Sequence, residues 1–204
     1  MTNPVASPRI DPRPTWAVAV HTAKQVLAHV RPDDLGRPTP CDEFDVASLL
    51  GHMTSAMMRT EAVGSGTDPF AFPNIITDVP SDAWPATLGA QLDAATAAWA
   101  DDASLDRVTT LPWVTADGTT MLPTYVAELT VHTWDLAQAL GTDVDWDPDA
   151  VAMADGVART LLPDGRCEEM EMPNGMTIPF HSAVDVSSGA APIDHLVAWY
   201  GRQP

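Results

Sequence analysis

Three ionisable side chains occur in one short run with a spacing that brings them to one side of a helix. The run AELTVHTWDLAQALG contains Glu128, His132 and Asp135, which are four and seven positions apart. At 3.6 residues per turn these side chains project from the same side, next to an apolar stripe that includes Leu129 and Leu136. Because buried charge is costly unless it is paired or binds a metal ion, the pattern predicts chemistry at the edge of a core.

A second predicted helix offers a matching metal ligand. His52 lies three positions after Leu49 and one before Met53, at the edge of that helix's apolar face. Two antiparallel helices could present His52, Glu128 and His132 to one point. Two imidazoles and one carboxylate form a three-ligand set for a divalent metal, and they leave positions open for water or substrate. On spacing alone, Glu128 and His132 are also explained by an ordinary surface or core pair, which is the more common occurrence of this spacing.

Other polar residues near these positions have two readings each. Asp135 is either an acceptor that orients a ligand imidazole or a polar residue on a partly exposed face. Arg59 follows His52 by seven positions, so it could bind a substrate carboxylate or form a surface salt bridge. Cys41 precedes an acidic run, which predicts a raised thiol pKa and no nucleophilic role. The remaining histidines have no partner at helical spacing and are expected to be surface or core residues: His21, His29, His181 and His195.

Helical periodicity occurs in five longer segments, which supply the positions for these side chains. Asp45 and Asp147 are predicted helix caps, and Gly64 and Gly66 are predicted to end the second helix. A short closing helix is expected over residues 193–200. The predicted long helices cover residues 14–30, 46–64, about 81–99, 123–140 and 148–161. Long amphipathic helices with short links predict a mainly α fold of the four-helix bundle type.

Two segments interrupt the helical pattern. Residues 107–121 predict a short β-hairpin that is closed by a turn at Asp117 and Gly118. Residues 163–191 show little periodicity and predict an irregular C-terminal segment. Within it, Met170, Met172 and Met176 could form part of a cover over the site.

Composition and charge exclude several classes of protein. The 204 residues predict a flexible arm at 1–13 and one domain at 14–204. With 28 acidic residues against 10 lysines and arginines the net charge is −18, which disfavours nucleic acid and anionic lipid as partners. The N-terminus lacks the apolar stretch of a signal peptide, so a cytoplasmic protein is expected. Cys41 and Cys167 form no metal-knuckle or disulfide pattern and are expected to be free thiols.

Three longer runs carry a family resemblance. RPTPCDEFDVASLLGHM, ELTVHTWDLAQALG and VDVSSGAAPIDHLVAWYGRQP resemble the actinobacterial DinB-like metal-binding proteins related to the N-terminal domain of mycothiol-dependent maleylpyruvate isomerase. The resemblance implies a DinB/YfiT-like four-helix bundle, and the family's metal ligands map onto His52, Glu128 and His132. Phe44 stands where the family motif usually has Trp. The isomerase resembles a two-domain protein, whereas this chain is expected to end soon after the bundle.

The resemblance and the ligand pattern together define three functional hypotheses. In the first, the protein is a transferase or isomerase that uses a metal-bound thiolate, with mycothiol as the candidate thiol and an electrophilic small molecule as substrate. In the second, it is a hydrolase or lyase with metal-bound water, assisted by Glu128 or Asp135. In the third, the metal site is non-catalytic. Zn²⁺ suits the donor set, and Ni²⁺, Fe²⁺ and Co²⁺ would also bind to it. The protein is expected to be a monomer or a homodimer.

Overall fold

The computed structural model describes residues 10–111, 114–162, 170–171, 177–178 and 181–204. Within these ranges the chain forms seven α-helices, one 3₁₀ helix (Pro32–Asp34) and two antiparallel pairs of strands. The helices are α1 (Arg13–Leu27), α2 (Val46–Ser65), α3 (Trp84–Ala98), α4 (Asp102–Asp106), α5 (Gly118–Leu140), α6 (Pro148–Leu161) and α7 (Pro192–Trp199). The strands are β1 (Val108–Leu111), β2 (Val114–Asp117), β3 (Met170–Glu171) and β4 (Thr177–Ile178).

Four of the helices, α1, α2, α3 and α5, form the bundle. Their apolar stripes meet in one core, as the sequence periodicity predicts. Its largest side chains are almost completely removed from solvent: Trp16, Trp99, Leu49, Leu50, Met57, Leu88, Leu92, Met121, Leu122, Leu129 and Leu136. The predicted mainly α, four-helix-bundle fold is confirmed.

Helix α5 separates two hydrophobic clusters. Its Leu122 and Leu129 side belongs to the bundle core, whereas Val131 and Trp134 belong to a second cluster formed with α6 and α7. Trp134 therefore packs between helices, as expected. A helix turns by about 100° per residue, so the side that carries Glu128 lies between these two apolar sides. The ionisable residues of α5 thus lie along a seam between two cores.

Aspartate and glycine residues set the helix ends, with one difference from the prediction. Asp45 caps α2, where its side chain accepts a hydrogen bond from the backbone N–H of Ser48 at 2.8 Å. Gly66 ends α2 in the left-handed conformation at φ 73°. Gly64, which was expected to end the helix, lies inside it instead. A side chain there would collide with the Trp99 indole, so close packing explains the residue.

The predicted turn at Asp117 and Gly118 is wrong. Strands β1 and β2 do form a hairpin, but their register puts the connection at residues 112–113, which lie outside the described residues. Asp117 caps α5 by accepting a hydrogen bond from the Thr120 N–H at 3.0 Å, and Gly118 is the first helical residue. A Cβ at Gly118 would collide with the Ser104 carbonyl. Asp-Gly favours tight turns and also suits a helix start against a close neighbour, so the dipeptide misled the prediction.

The C-terminal segment contains more regular structure than expected. Strands β3 and β4 pair within it, and the predicted closing helix follows as α7. Met172, Met176, Cys167 and residues 1–9 of the predicted arm lie outside the described residues. Cys41 is a free thiol. None of the described helices combines the length and the apolar character that a membrane span needs.

Candidate metal centre

Helices α2 and α5 bring the three predicted ligands together. His52 lies in the first half of α2, and Glu128 and His132 lie one turn apart on the seam of α5. Both helices are held by the bundle core rather than by contacts among these polar side chains. The scaffold therefore sets the position of the ligands before any ion is considered.

Both imidazoles approach the same carboxylate oxygen. Nε2 of His52 lies 2.9 Å from Oε1 of Glu128, and Nε2 of His132 lies 3.6 Å from the same atom. One potential ligand atom from each residue lies within 4.8 Å of the others. Ligands that share one Zn²⁺ at about 2.0–2.2 Å are themselves roughly 3–4 Å apart, so these donors fit a divalent metal with little adjustment.

The three side chains have unequal access to solvent. Glu128 is 36% exposed, His52 is 21% exposed and His132 is 10% exposed, so the group is open on one side. Burial works to raise the pKa of Glu128, but the neighbouring His132 and the hydrogen bond from His52 outweigh it and lower the pKa to about 2. Glu128 is therefore ionised near neutral pH, which is the state that a metal ligand requires.

Asp135 lies behind His132 and is completely buried. Its Oδ2 is 3.0 Å from Nδ1 of His132, which is the geometry of an acceptor that orients an imidazole. Burial works to raise the pKa of Asp135, yet hydrogen bonds from His132 and Arg202 lower it overall. The partly exposed position that sequence allowed for Asp135 is not adopted.

Arg202 is the one residue of this network that sequence reasoning missed. Its guanidinium donates to both oxygens of Asp135, at 3.2 and 2.9 Å. The two residues are 67 positions apart, so no local spacing connects them. The sequence indicates this contact only indirectly. A buried carboxylate at Asp135 needs a cationic partner, and the chain has only 10 lysines and arginines that could provide one.

The loop before α2 contributes an aromatic contact and a thiol. The ring of Phe44 stacks on the imidazole of His52, with centroids 5.0 Å apart, so the aromatic residue at this motif position supports the proposed ligand. Burial raises the pKa of the Cys41 thiol to about 11, with smaller contributions from Asp135 and Glu43. The direction matches the prediction, but burial rather than the acidic run is the main cause.

Arg59 does not form the surface salt bridge that the sequence allowed, and its use as a contact for a substrate carboxylate stays a prediction. Its Nη2 donates to the carbonyl oxygen of Pro73 at 3.1 Å and to Oδ1 of Asn74 at 2.9 Å, and so ties a loop to α2. Within the described parts of the chain no carboxylate pairs with it. Burial lowers the pKa of the guanidinium, opposed by Glu128 and Tyr125.

The other histidines stay apart from this group. His21 is exposed on α1, His29 is exposed in the turn that follows α1, and Nε2 of His181 lies 3.1 Å from Oδ1 of Asp42. His195 is partly exposed on α7. Among the described residues, one set of three potential ligands converges, and it consists of His52, Glu128 and His132.

Comparison with known proteins identifies the family. The family model "Mycothiol maleylpyruvate isomerase N-terminal domain" matches residues 16–137, which is more than half of the chain. The chain belongs to this family. The matched range includes most of α1, all of α2 to α4 and most of α5, and with them His52, Glu128 and His132.

Two relatives and two solved structures extend the match. The chain is 28% identical over 198 residues to Uncharacterized protein MT0763 and to Uncharacterized protein Rv0738 of Mycobacterium tuberculosis, with 95% of this chain and 98% of each relative covered. Its fold resembles the crystal structure of a mycothiol-dependent maleylpyruvate isomerase at TM-score 0.63 and 13% identity. A histidine-to-alanine mutant of that isomerase matches at TM-score 0.61 and 13% identity.

The structural match reaches well beyond the bundle. It covers 91% of this chain and 85% of the isomerase chain, whereas the family model ends at residue 137. The resemblance in fold includes much of the C-terminal part that carries α6 and α7.

Proposed function

We propose that this protein is a metal-dependent enzyme that uses a low-molecular-weight thiol, with mycothiol as the candidate. The enzyme would either transfer the thiol to an electrophilic small molecule or use the thiol to isomerise that molecule. The observation that carries the proposal is the approach of two imidazole Nε2 atoms to one carboxylate oxygen of Glu128. Mycothiol is the proposed thiol because the matched family and the isomerase with a similar fold both carry it in their names.

Each side chain has a defined part in holding the metal. His52 and His132 offer Nε2, Glu128 offers a carboxylate oxygen, and Asp135 holds the opposite nitrogen of His132. A divalent metal at these three residues supplies positive charge that lowers the pKa of a thiol or water bound to it. Zn²⁺ suits two imidazoles and a carboxylate, and Ni²⁺, Fe²⁺ or Co²⁺ are alternatives.

The surroundings favour a thiol over activated water. A hydrolase or lyase needs a base to receive a proton, and Asp135 and Glu128 were the candidates. Both oxygens of Asp135 already accept hydrogen bonds, and Glu128 is itself a proposed ligand. A thiol held by a metal at these residues would lose its proton to bulk water near neutral pH, because the metal charge would lower its pKa, and it would require neither residue as a base.

Arg59 is the proposed contact for a negatively charged substrate group. It is half-buried, close enough to Glu128 to be influenced by its charge, and without a carboxylate partner in the described chain. Loss of a charged hydrogen bond costs about 1.5–3 kcal/mol. We therefore expect Arg59→Met to weaken binding of a dicarboxylate such as maleate by roughly 10–100-fold, whereas Arg159→Met on α6 leaves it unchanged.

The proposed reaction belongs in the cytoplasm, where small thiols are kept reduced. The partners are small molecules, since the net charge of −18 repels nucleic acid. A neutral sugar-based thiol should also approach such a protein more readily than an anionic one at low salt.

Cobalt substitution tests the proposal. Co²⁺ is loaded into metal-free protein and mycothiol is added to millimolar concentration. A new sulfur-to-metal charge-transfer absorption in the near ultraviolet is expected, because three protein donors leave a position that thiolate can take. S-methylated mycothiol is the matched control and should give no band. A cobalt-loaded protein that shows no new band with mycothiol would contradict the thiol proposal and favour the hydrolase or a non-catalytic site.

A further inference from the structure

We infer that Arg202 is a positioning residue of the metal centre, which fixes the Asp135 carboxylate so that Nε2 of His132 is held toward the other two ligands. The inference rests on the proposed metal site and extends it to the end of the chain. Arg202 lies outside residues 16–137, the range that the family model matches.

The contact between Arg202 and Asp135 is a two-point hold. Nε of Arg202 donates to Oδ1 at 3.2 Å, and Nη2 donates to Oδ2 at 2.9 Å. Nη1 donates to the carbonyl oxygen of Tyr200 at 3.0 Å, so the guanidinium itself is anchored. Paired N–H donors in this fork arrangement fix the plane of a carboxylate, which a single contact cannot do.

The same carboxylate faces His132. Oδ2 of Asp135 lies 3.0 Å from Nδ1 of His132 and accepts from Arg202 as well. When Nδ1–H donates to a carboxylate, the neutral ring presents the Nε2 lone pair on its opposite side. That side of His132 is directed at Glu128, where the proposed metal ligands meet.

The sequence after α7 places the guanidinium. Gly201 has φ 83°, which lets the chain turn back, and a side chain there would collide with His181. The N–H of Arg202 then donates to the carbonyl oxygen of Val197 at 3.1 Å and closes the turn. Because α7 packs with α5 and α6 in the second hydrophobic cluster, this turn delivers Arg202 to the back of the metal centre.

Measurements of metal binding can distinguish the proposed positioning role of Arg202 from a purely stabilising role of its ion pair with Asp135. The side chains of Arg202 and Asp135 are 11% and 0% exposed, so breaking the pair also costs stability. If Arg202 acts on His132 through Asp135, its removal weakens metal binding only while Asp135 is a carboxylate. A general loss of stability would lower metal binding to the same degree in an Asp135→Asn background.

The experiment measures Zn²⁺ affinity by competition with a chromophoric chelator in five proteins and one control. The five are the wild type, Arg202→Met, Arg202→Lys, Asp135→Asn and the double variant that combines Arg202→Met with Asp135→Asn. We expect Arg202→Met to bind Zn²⁺ about 10–100-fold more weakly, Arg202→Lys to recover part of the loss, and the double variant to equal Asp135→Asn. Arg159→Met is the control, since Arg159 pairs with Asp155 and stacks on Trp199 near the same C-terminal helix.

A spectroscopic measurement accompanies the affinities. In the zinc-loaded wild type the Nδ1 proton of His132 should give a protected low-field NMR resonance, which Arg202→Met should lose or broaden. Should Arg202→Met not fold, Arg202→Lys keeps the test decisive, because it retains the charge and loses the fork. Wild-type Zn²⁺ affinity and an unchanged resonance in the Arg202 variants would overturn the inference. So would an equal loss of Zn²⁺ affinity on removal of Arg202 in the wild-type and Asp135→Asn backgrounds. No thiol is used, so failure of the cobalt test leaves this result standing.

Discussion

Neighbouring residues of α5 belong to two regions with opposite requirements. Leu129 is 1% exposed and lies in the bundle core, whereas Glu128 is 36% exposed and faces His52 across the seam. Removal of apolar surface from water stabilises the first region, and it needs no ion or partner. The second region brings two imidazole nitrogens to one carboxylate oxygen, a donor set that fits a divalent metal. Adjacent positions of α5 therefore serve the core and the site, and substitutions at them should affect stability and metal binding separately.

Removal of any proposed ligand should break the site with the largest effect. We expect His52→Ala, Glu128→Ala and His132→Ala each to retain only a small fraction of bound metal after dialysis, because two protein donors compete poorly with water. Helical content measured by circular dichroism should persist, since the apolar core does not include these residues. His29→Ala, in the exposed turn after α1, is the matched control. Stoichiometric metal in one variant would remove that residue from the ligand set.

Truncation of the neighbouring core residue should give the opposite pattern. Leu129→Ala is expected to lower the free energy of unfolding by about 2–5 kcal/mol, through lost burial and a cavity. The zinc affinity of the folded fraction should remain close to that of the wild type. Urea denaturation of metal-free protein and a chelator titration measure the two quantities. A large loss of zinc affinity without loss of stability would show that the two regions are not separable.

Asp135→Asn should affect both metal binding and stability, because Asp135 contacts His132 and is completely buried. The substitution is expected to weaken zinc affinity by about 10–100-fold, since an amide orients His132 less strongly than a carboxylate. It should also reduce stability, because Arg202 would keep a buried charge without its partner. Equal affinities of the wild type and the variant in a competitive titration would place Asp135 outside the metal centre.

Cys41 should give the smallest effect. Burial raises its thiol pKa to about 11, so the group stays protonated at neutral pH and becomes thiolate only as the pH rises toward that value. In a Cys167→Ala background, alkylation of Cys41 by iodoacetamide at pH 8 should be on the order of 100-fold slower than that of an unhindered cysteine. Its rate should increase with pH beyond 9. Rapid alkylation at pH 7 would show that Cys41 is an activated thiol.

Local patterns were sufficient for the residues on one helix. Glu128, His132 and Asp135 are related by helical periodicity, so their common side followed from the sequence alone. The position of His52 opposite them needed two helices to pack in the right register, which periodicity allowed but did not specify. The structure supplies that register through the apolar residues of α2 and α5.

Contacts between distant segments could not be predicted. Arg202 reaches Asp135 because α7 packs on α5 and the chain turns back at Gly201. Arg59 ties down residues 72–74 instead of facing solvent, which depends on the path of a loop without periodicity. The Asp117 error had another cause, because a hairpin turn and a helix cap favour the same residue type.

The metal content of the purified protein is the most direct test of whether His52, Glu128 and His132 bind a metal ion. The protein is purified without an affinity tag, incubated with excess Zn²⁺, passed through a desalting column and analysed for metal and protein concentration. About one zinc ion per chain is expected in the wild type, and almost none in Glu128→Ala prepared in parallel. Fully folded wild-type protein that retains no zinc, or equal zinc in both proteins, would contradict the assignment of His52, Glu128 and His132 as a metal centre.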